Sequence, residues 1–262
     1  MNTPEQPEQM EMPDDEAISF DTIAGDWGIH QLKRGHRFSA DDMLTAWLAC
    51  ELSPQTSPLL DLGAGIGSVG LMTLWRQPAD ARLVMVEAQT VSHELAKRTI
   101  AANGLGDRVE ARLGDLRDPS SVPERDHFPL VTGSPPYIPF GHGVLSPHPQ
   151  RAACRMELRG DIFDYAATAA RAMTPDGLFI FCHAAGDPRP EEAIAAAGLH
   201  LLLRQDVCFR AARAPTIALF AAGRAPRALS ARPPLHIRDA DGRFTDAYME
   251  LREAMGSEVR RG

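Results

Sequence analysis

Long apolar runs are missing from this sequence. The longest, such as Ile217–Ala222, fall far short of the roughly 18–20 residues that cross a bilayer, so no membrane span is expected. Residues 1–16 hold no apolar core and no Lys or Arg, which argues against a secretory leader. Cysteine is scarce. Cys50, Cys154, Cys182 and Cys208 are widely spaced with no CxxC pair, so they read as free thiols of a reducing cytoplasm, neither a disulfide framework nor a zinc site. No metal ligand set is expected. Lysine is nearly absent, since only Lys33 and Lys97 stand among 27 basic residues. Internal repeats and heptads are absent as well, which excludes a solenoid or a coiled coil.

What is present is an ordinary globular balance over 262 residues, 44% hydrophobic and 24% charged, enough for one large domain with tails. The net charge of −8 argues at first against a nucleic-acid partner. Its distribution matters more. Glu5, Glu8, Glu11, Asp14, Asp15 and Glu16 account for six of those charges, leaving −2 for the rest of the chain.

The chain divides into an acidic tail expected to be disordered (1–17), an N-terminal segment with a helix (18–57), a main domain (58–224) and a C-terminal tail with a short helix (225–262). Ser39-Ala-Asp-Asp42 before Met43, Leu44, Ala46, Trp47 and Leu48 reads as a capped amphipathic helix. From Leu59 the sequence alternates. Strands are expected at 59–62, 82–87, 109–113, 128–132, 178–183, 199–207 and 216–222. Helices are expected at 68–75, 91–103, 161–173, 191–197 and 245–255. This order predicts an α/β, Rossmann-like fold: a seven-stranded, mostly parallel sheet with one antiparallel edge strand and helices on both faces. The stretch from Ile138 to Arg155, rich in Pro, Gly and His, reads as a long surface loop of the kind that covers binding sites.

Four strand ends carry chemistry. Asp61-Leu-Gly-Ala-Gly-Ile-Gly67 follows the first strand of this domain, and Gly63, Gly65 and Gly67 would let a ligand approach the backbone closely. Asp61 would repel a pyrophosphate but favour a ligand bearing an ammonium, as S-adenosylmethionine (SAM) does. Glu87 ends the second strand and suits two ribose hydroxyls. Asp115, in Leu113-Gly-Asp115, is positioned to meet an adenine. Ser134-Pro-Pro-Tyr137 ends the fourth strand. An amine conjugated to a base or carbonyl is a poor nucleophile because its lone pair is delocalised. A side-chain oxygen and a proline carbonyl would hold its two N–H groups, Pro135 and Pro136 would stiffen the turn, and Tyr137 would stack on the planar group. Cys154 and Cys182 read as packing residues, and His142 and His148 as loop residues that could approach substrate but at such positions are more often solvated.

The Ser-Pro-Pro-Tyr strand end resembles the [D/N/S]-P-P-[Y/F/W] motif of amino-group methyltransferases, and the element order from Leu59 to Ala222 resembles class I SAM-dependent methyltransferases. More narrowly, the chain resembles the bacterial tRNA1(Val) adenine-N6 methyltransferases, which modify adenine-37 beside the anticodon. The likeness includes Gly35-His-Arg-Phe-Ser-Ala-Asp-Asp-Met-Leu-Thr-Ala46, Arg151-Ala-Ala-Cys-Arg-Met-Glu157 and Val207-Cys-Phe-Arg-Ala-Ala-Arg-Ala-Pro215, and covers about residues 27–242. It departs where Ser134 stands in place of the family's usual Asn, a change that keeps an oxygen acceptor. The resemblance implies SAM as cofactor, tRNA as partner, and a cytoplasmic enzyme. It implies phosphate contacts from Lys33, Arg34, Arg37, Arg151, Arg155, Arg210 and Arg213. Other readings stay open: a release-factor type glutamine methyltransferase, a DNA or small-molecule amino-methyltransferase, and a SAM-binding module without catalysis. The first usually has a separate N-terminal helical domain, for which about forty residues are too few.

Overall fold

A computed structural model describes residues 17–139, 146–227 and 231–257. The chain begins with a hairpin, β1 (Ile18–Ala24) and β2 (Trp27–Leu32), followed by α1 (Ala40–Leu52). The alternating part runs β3 (Leu59–Leu62), α2 (Ser68–Trp75), β4 (Leu83–Glu87), α3 (Thr90–Ala102), β5 (Val109–Leu113) and β6 (Phe128–Gly133). It continues with α4 (Pro149–Arg155), α5 (Ile162–Ala172), β7 (Met173–Ala184), α6 (Arg189–Ala196), β8 (His200–Cys208) and β9 (Ile217–Gly223). The last elements are β10 (Leu235–His236) and α7 (Asp246–Ala254).

The main sheet has the order β10-β8-β9-β7-β6-β3-β4-β5. Strands β3 to β7 are mutually parallel, and β9 runs antiparallel to both β7 and β8. The expected architecture is therefore observed, with two corrections. The sheet has eight strands, because the two-residue β10 pairs with the end of β8. The reversed strand is internal rather than at the edge. All seven residues of Ile-Ala-Leu-Phe-Ala-Ala-Gly in β9 are buried, so that strand needs a neighbour on each side.

Period-two alternation splits the core between the two faces of the sheet. On β7, Leu178, Ile180 and Cys182 join one cluster with α1, α2 and α3, while Phe179 and Phe181 join the other with α5 and α6. Phe179, Phe181 and Phe220 stack at 4.7 and 5.0 Å between centroids. At roughly 25 cal/mol per Å² of apolar area, a fully buried Phe contributes on the order of 2–3 kcal/mol. Helix α5 is fixed at its start by Asp161, whose side chain accepts from the Phe163 and Asp164 N–H groups, while Asp164 accepts from the Asp161 N–H.

Two elements lie outside the sequence expectation. The β1–β2 hairpin turns on Gly25-Asp26, with Gly25 at φ +54°, and Asn103 at the C-cap of α3 and Thr99 within it bond its backbone at Gly28 and His30. Helix α4 interrupts the expected loop. Its Gln150 is fully buried, accepts from the His36 N–H and donates to Ser92 Oγ, so it ties the segment after β2 to α3.

Candidate functional site

The carboxyl ends of β3, β4 and β6 meet the start of α1 and the helix α4 around a cavity of about 400 Å³. Parallel strands make this edge the natural ligand site of an α/β sheet. Gly63, Gly65, Asp61, Glu87, Gly114, Ser134, Pro135, Pro136 and Tyr137 line it. Asp41, Asp42, Gln89 and Tyr165 line it too, and none of these four was among the expected site residues.

Gly63, Gly65 and Gly67 all adopt left-handed backbone, with φ of +57°, +58° and +94°. Their requirements differ. A Cβ on Gly63 would come within 1.8 Å of the Tyr165 hydroxyl, so that glycine is needed for packing. A Cβ on Gly65 would meet nothing within 4 Å and would fill open space. Gly65 therefore leaves open space at the cavity wall, as a ligand approaching the backbone closely would need.

The acidic residues divide in the same way. Asp61 is buried, with Oδ2 accepting from the Gly70 N–H at 2.9 Å and Oδ1 from Thr132 Oγ1 at 2.8 Å. Burial lifts its carboxyl to about 7 against those two hydrogen bonds. It ties β3 to α2 and β6 while facing the cavity. Glu87 accepts from the Gly65 N–H at 2.8 Å and from the Gln89 N–H at 2.6 Å. Burial raises its pKa, opposed chiefly by those two bonds. A carboxylate offers about four acceptor sites, so Glu87 keeps acceptor capacity for a ligand in the cavity.

Asp115 is a departure. Its neighbours Gly114 and Leu116 line the cavity, and Asp115 itself does not. The Arg117 guanidinium grips the Asp115 carboxylate from Nε and Nη2, at 2.9 and 2.6 Å. Burial works to raise the Asp115 pKa, but these bonds and the Arg117 charge outweigh it and hold the carboxyl below its usual range. Arg117 thus holds this side chain in a local ion pair outside the lining, and Gly114 and Leu116 form the cavity wall here.

Ser134 directly follows β6, with Oγ 3.7 Å from Cys182 Sγ. Tyr137 meets His183 edge-on at 5.8 Å between ring centroids. His183 is fully buried, and burial lowers its pKa to about 4, so it is neutral at pH 7. Its Nδ1 is 3.6 Å from Asp187, which binds Arg189, and Arg189 binds Glu157 at 2.7 Å. This chain connects Tyr137 to the Arg151–Glu157 segment through residues far apart in sequence. Burial pushes the thiols of Cys154 and Cys182 up to about 12, consistent with packing roles rather than nucleophilic ones.

Asp41 and Asp42 open α1 toward the cavity. Burial raises both to about 6, for Asp41 with added repulsion from Asp42. Sequence reasoning took them only as capping residues. The signal was their place in the segment Gly35–Ala46, already singled out for its resemblance.

The seven basic residues do not form one set. Arg37, Arg151 and Arg155 line the cavity. Arg37 is held by Asp21 at 3.1 Å, and Arg151 donates to the Gly35 carbonyl at 2.9 Å, so both have structural duties. With Arg155, Arg151 lies close to the part-buried His36, whose pKa desolvation lowers to about 4. Lys33, Arg34, Arg155, Arg210 and Arg213 are exposed. Arg210 and Arg213 sit between β8 and β9 and do not line the cavity, but that turn lies on the same edge of the sheet, because Ile217 pairs with Ala184 at the end of β7. His148 precedes α4 and is outside the lining, and His142 lies outside the described residues. Among the described residues no group of three or more His, Cys, Asp or Glu could hold a metal, and no helix is long and apolar enough to cross a membrane.

The Methyltransferase small domain family matches residues 34–142. The tRNA1(Val) (adenine(37)-N6)-methyltransferase of Shigella dysenteriae is 30% identical over 198 residues, covering 74% of this chain and 78% of that protein. The protein of the same name from Citrobacter koseri is 30% identical over 200 residues, covering 75% and 79%. A crystal structure described as a predicted O-methyltransferase from Agrobacterium tumefaciens shares the fold, at 21% identity and a TM-score of 0.62 over 85% of this chain and all of that one. With this likeness spread over three quarters of its length, the chain belongs to the tRNA1(Val) (adenine(37)-N6)-methyltransferase family and is a SAM-dependent methyltransferase.

Proposed function

We propose that this protein methylates N6 of an adenine in tRNA, at position 37 beside the anticodon of a tRNA1(Val)-type substrate. The observation that carries this reading is the sharing of one cavity by Ser134-Pro-Pro-Tyr137, Gly65 and Glu87. SAM, when bound, supplies an electrophilic methyl group on a sulfonium.

The chain's residues do the rest. Gly65 would leave room for the cofactor, and Glu87 would accept from its ribose hydroxyls. Asp61, Asp41 and Asp42 supply negative charge on the cavity wall, which suits a cationic ligand. An adenine turned out of its stack would lie against Tyr137, with its amino N–H groups held by Ser134 Oγ and the Pro135 carbonyl. Both acceptors draw the N–H groups aside and leave the nitrogen lone pair free to face the methyl. Such alignment accounts for up to about 7–11 kcal/mol of a barrier in favourable cases. Edge contact with neutral His183 and burial hold the Tyr137 ring in place. Exposed Lys33, Arg34, Arg155, Arg210 and Arg213 would take phosphates, with Arg37 and Arg151 shaping the rim. Action on tRNA would place the protein in the cytoplasm.

The test is methyl transfer from labelled SAM to an unmodified tRNA1(Val) transcript, beside the same transcript carrying guanine at position 37. Incorporation only with adenine-37 supports the proposal. Equal incorporation into both, or incorporation into a release-factor glutamine and not into RNA, would refute it.

A further inference from the structure

Pro135 and Pro136 stiffen the backbone before Tyr137, but they do not fix its ring. An aromatic side chain at a cavity wall keeps its rotamer freedom unless neighbours hold it, and a ring that stacks on a base serves in one orientation only. Tyr137 lines the cavity and is half-buried. Its support lies outside the Ser-Pro-Pro-Tyr turn, in two arms that meet at Arg189, the first residue of α6.

The first arm reaches the ring. Tyr137 meets the fully buried His183 with 65° between the ring planes, and His183 Nδ1 lies 3.6 Å from Asp187 Oδ2. Arg189 clasps Asp187 with two prongs, Nε at 3.0 Å from Oδ1 and Nη2 at 2.6 Å from Oδ2. The second arm reaches the backbone. Arg189 Nη1 donates to Glu157 Oε1 at 2.7 Å. The Glu157 N–H donates to the Ile138 carbonyl at 3.0 Å, and the Ile138 N–H donates to the Arg155 carbonyl at 3.2 Å. Ile138 follows Tyr137 directly, so the two arms close a circuit around the tyrosine. The Asp187 and Glu157 side chains are only 14% and 10% exposed, and ion pairs this enclosed are weakly screened. A planar guanidinium can fork to one carboxylate and still serve a second, which a lysine ammonium cannot do in a fixed plane.

We infer that Arg189 is a positioning residue for Tyr137, holding the ring through Asp187 and His183 and the backbone beyond it through Glu157. The inference rests on the proposed function, in which Tyr137 stacks on the target base. It goes further by giving α6 a part in methyl transfer, although none of the α6 residues lines the cavity. Arg189 also pairs with Asp187 at the start of α6, so a loss of activity on its replacement would not by itself separate positioning from anchoring of that helix.

A double-mutant cycle separates them. Single-turnover methyl transfer at saturating tRNA is measured for the wild type, Arg189→Met, Tyr137→Ala and the double variant. Arg189→Met opens both arms and is expected to slow transfer about fivefold, part of the loss that removing the ring itself causes, with SAM affinity within about twofold of the wild type. On the Tyr137→Ala background, which has no ring to hold, the same change is expected to cost less than about twofold. An equal cost on both backgrounds assigns Arg189 to anchoring α6 alone and overturns the inference. A second readout needs no substrate. The chain has three tyrosines, Tyr137, Tyr165 and Tyr248, so labelling with 3-fluorotyrosine gives three fluorine-19 resonances, and Tyr137→Phe assigns the first. Arg189→Met is expected to move the Tyr137 resonance and leave the other two in place. Glu157→Gln, a milder change that opens one arm and spares the Asp187 pair, is expected to move the same resonance. A Tyr137 resonance that stays in place in both variants overturns the inference. If the wild type leaves tRNA unmethylated, the functional proposal fails, and the resonance still decides whether Arg189 holds Tyr137.

Discussion

Replacing Glu87 with alanine separates the cofactor contact from the fold. In the protein the Glu87 carboxylate holds the Gly65 and Gln89 N–H groups at 2.8 and 2.6 Å, and its remaining acceptor sites face the cavity. Two ribose hydroxyls bonded to an ionised carboxylate are worth about 1.5–3 kcal/mol each, so losing both costs about 3–6 kcal/mol. At 1.4 kcal/mol per tenfold, SAM affinity should fall by about two to four orders of magnitude. The effect on stability should be much smaller. The change removes a buried charge, and the freed N–H groups face the cavity, where water replaces the carboxylate. Glu87→Gln is an intermediate case. Its amide keeps one oxygen, but its NH2 must face either the Gly65 or the Gln89 N–H, donor against donor. Titration calorimetry with SAM, with circular dichroism as a check on folding, reads both variants. A folded Glu87→Ala protein that binds SAM within twofold of the wild type would refute the ribose assignment.

Gly63→Ala and Gly65→Ala should fail in different ways. The first drives a methyl into Tyr165 at φ +57° and should cost about 2–5 kcal/mol of stability in urea unfolding, while the second should cost only about 1 kcal/mol yet weaken SAM binding sharply. Tyr137→Ala should slow single-turnover transfer to tRNA at least tenfold with SAM affinity retained, and Tyr137→Phe should restore most of the rate, because stacking needs the ring and not the hydroxyl. SAM affinity should fall as pH drops from 8 toward 5.5, since Asp61 takes up a proton near 7 and Asp41 and Asp42 near 6, and a cationic ligand prefers the carboxylates ionised. Ligand-free stability should move the opposite way. Carboxyls with raised folded pKa values favour folding below their unfolded values, and that contribution is lost as pH rises through about 6–7. Lowering the pH from 8 to 6.5 should therefore raise the melting temperature. Part-buried His36 and buried His183, both lowered to about 4, begin to reverse the gain below about 6.5. Calorimetric scans across that range check the sign.

The sheet was legible because Leu59–Leu62, Leu83–Glu87 and Phe128–Gly133 are short apolar strands, each ending in residues that suit only a turn or a ligand. The Ser134–Tyr137 and Gly63–Gly67 segments were legible for the same reason, since local sequence fixes their geometry. What escaped is decided at a distance. The β1–β2 hairpin carries a Gly-Asp turn signal, but its strands mix His, Gly and Gln, and Asn103 and Thr99 of α3 complete its bonding. Gln150 looks like a loop residue until it is seen buried against His36 and Ser92. Asp115 fits the adenine contact by position in the sequence, and Arg117, two residues on, takes its carboxylate. The internal place of β9 follows from all seven of its residues being buried, which no local pattern distinguishes from a buried edge hairpin.

The central claim is a base and a position, and nucleoside mass spectrometry of tRNA addresses both. Bulk tRNA1(Val) is isolated from a strain lacking this gene and from the same strain carrying it, then mapped by nuclease fragment. The account predicts N6-methyladenosine at position 37 only where the gene is present, and a lower level of it with Tyr137→Ala. Unmodified adenine-37 in both strains, or N6-methyladenosine in both, would contradict it.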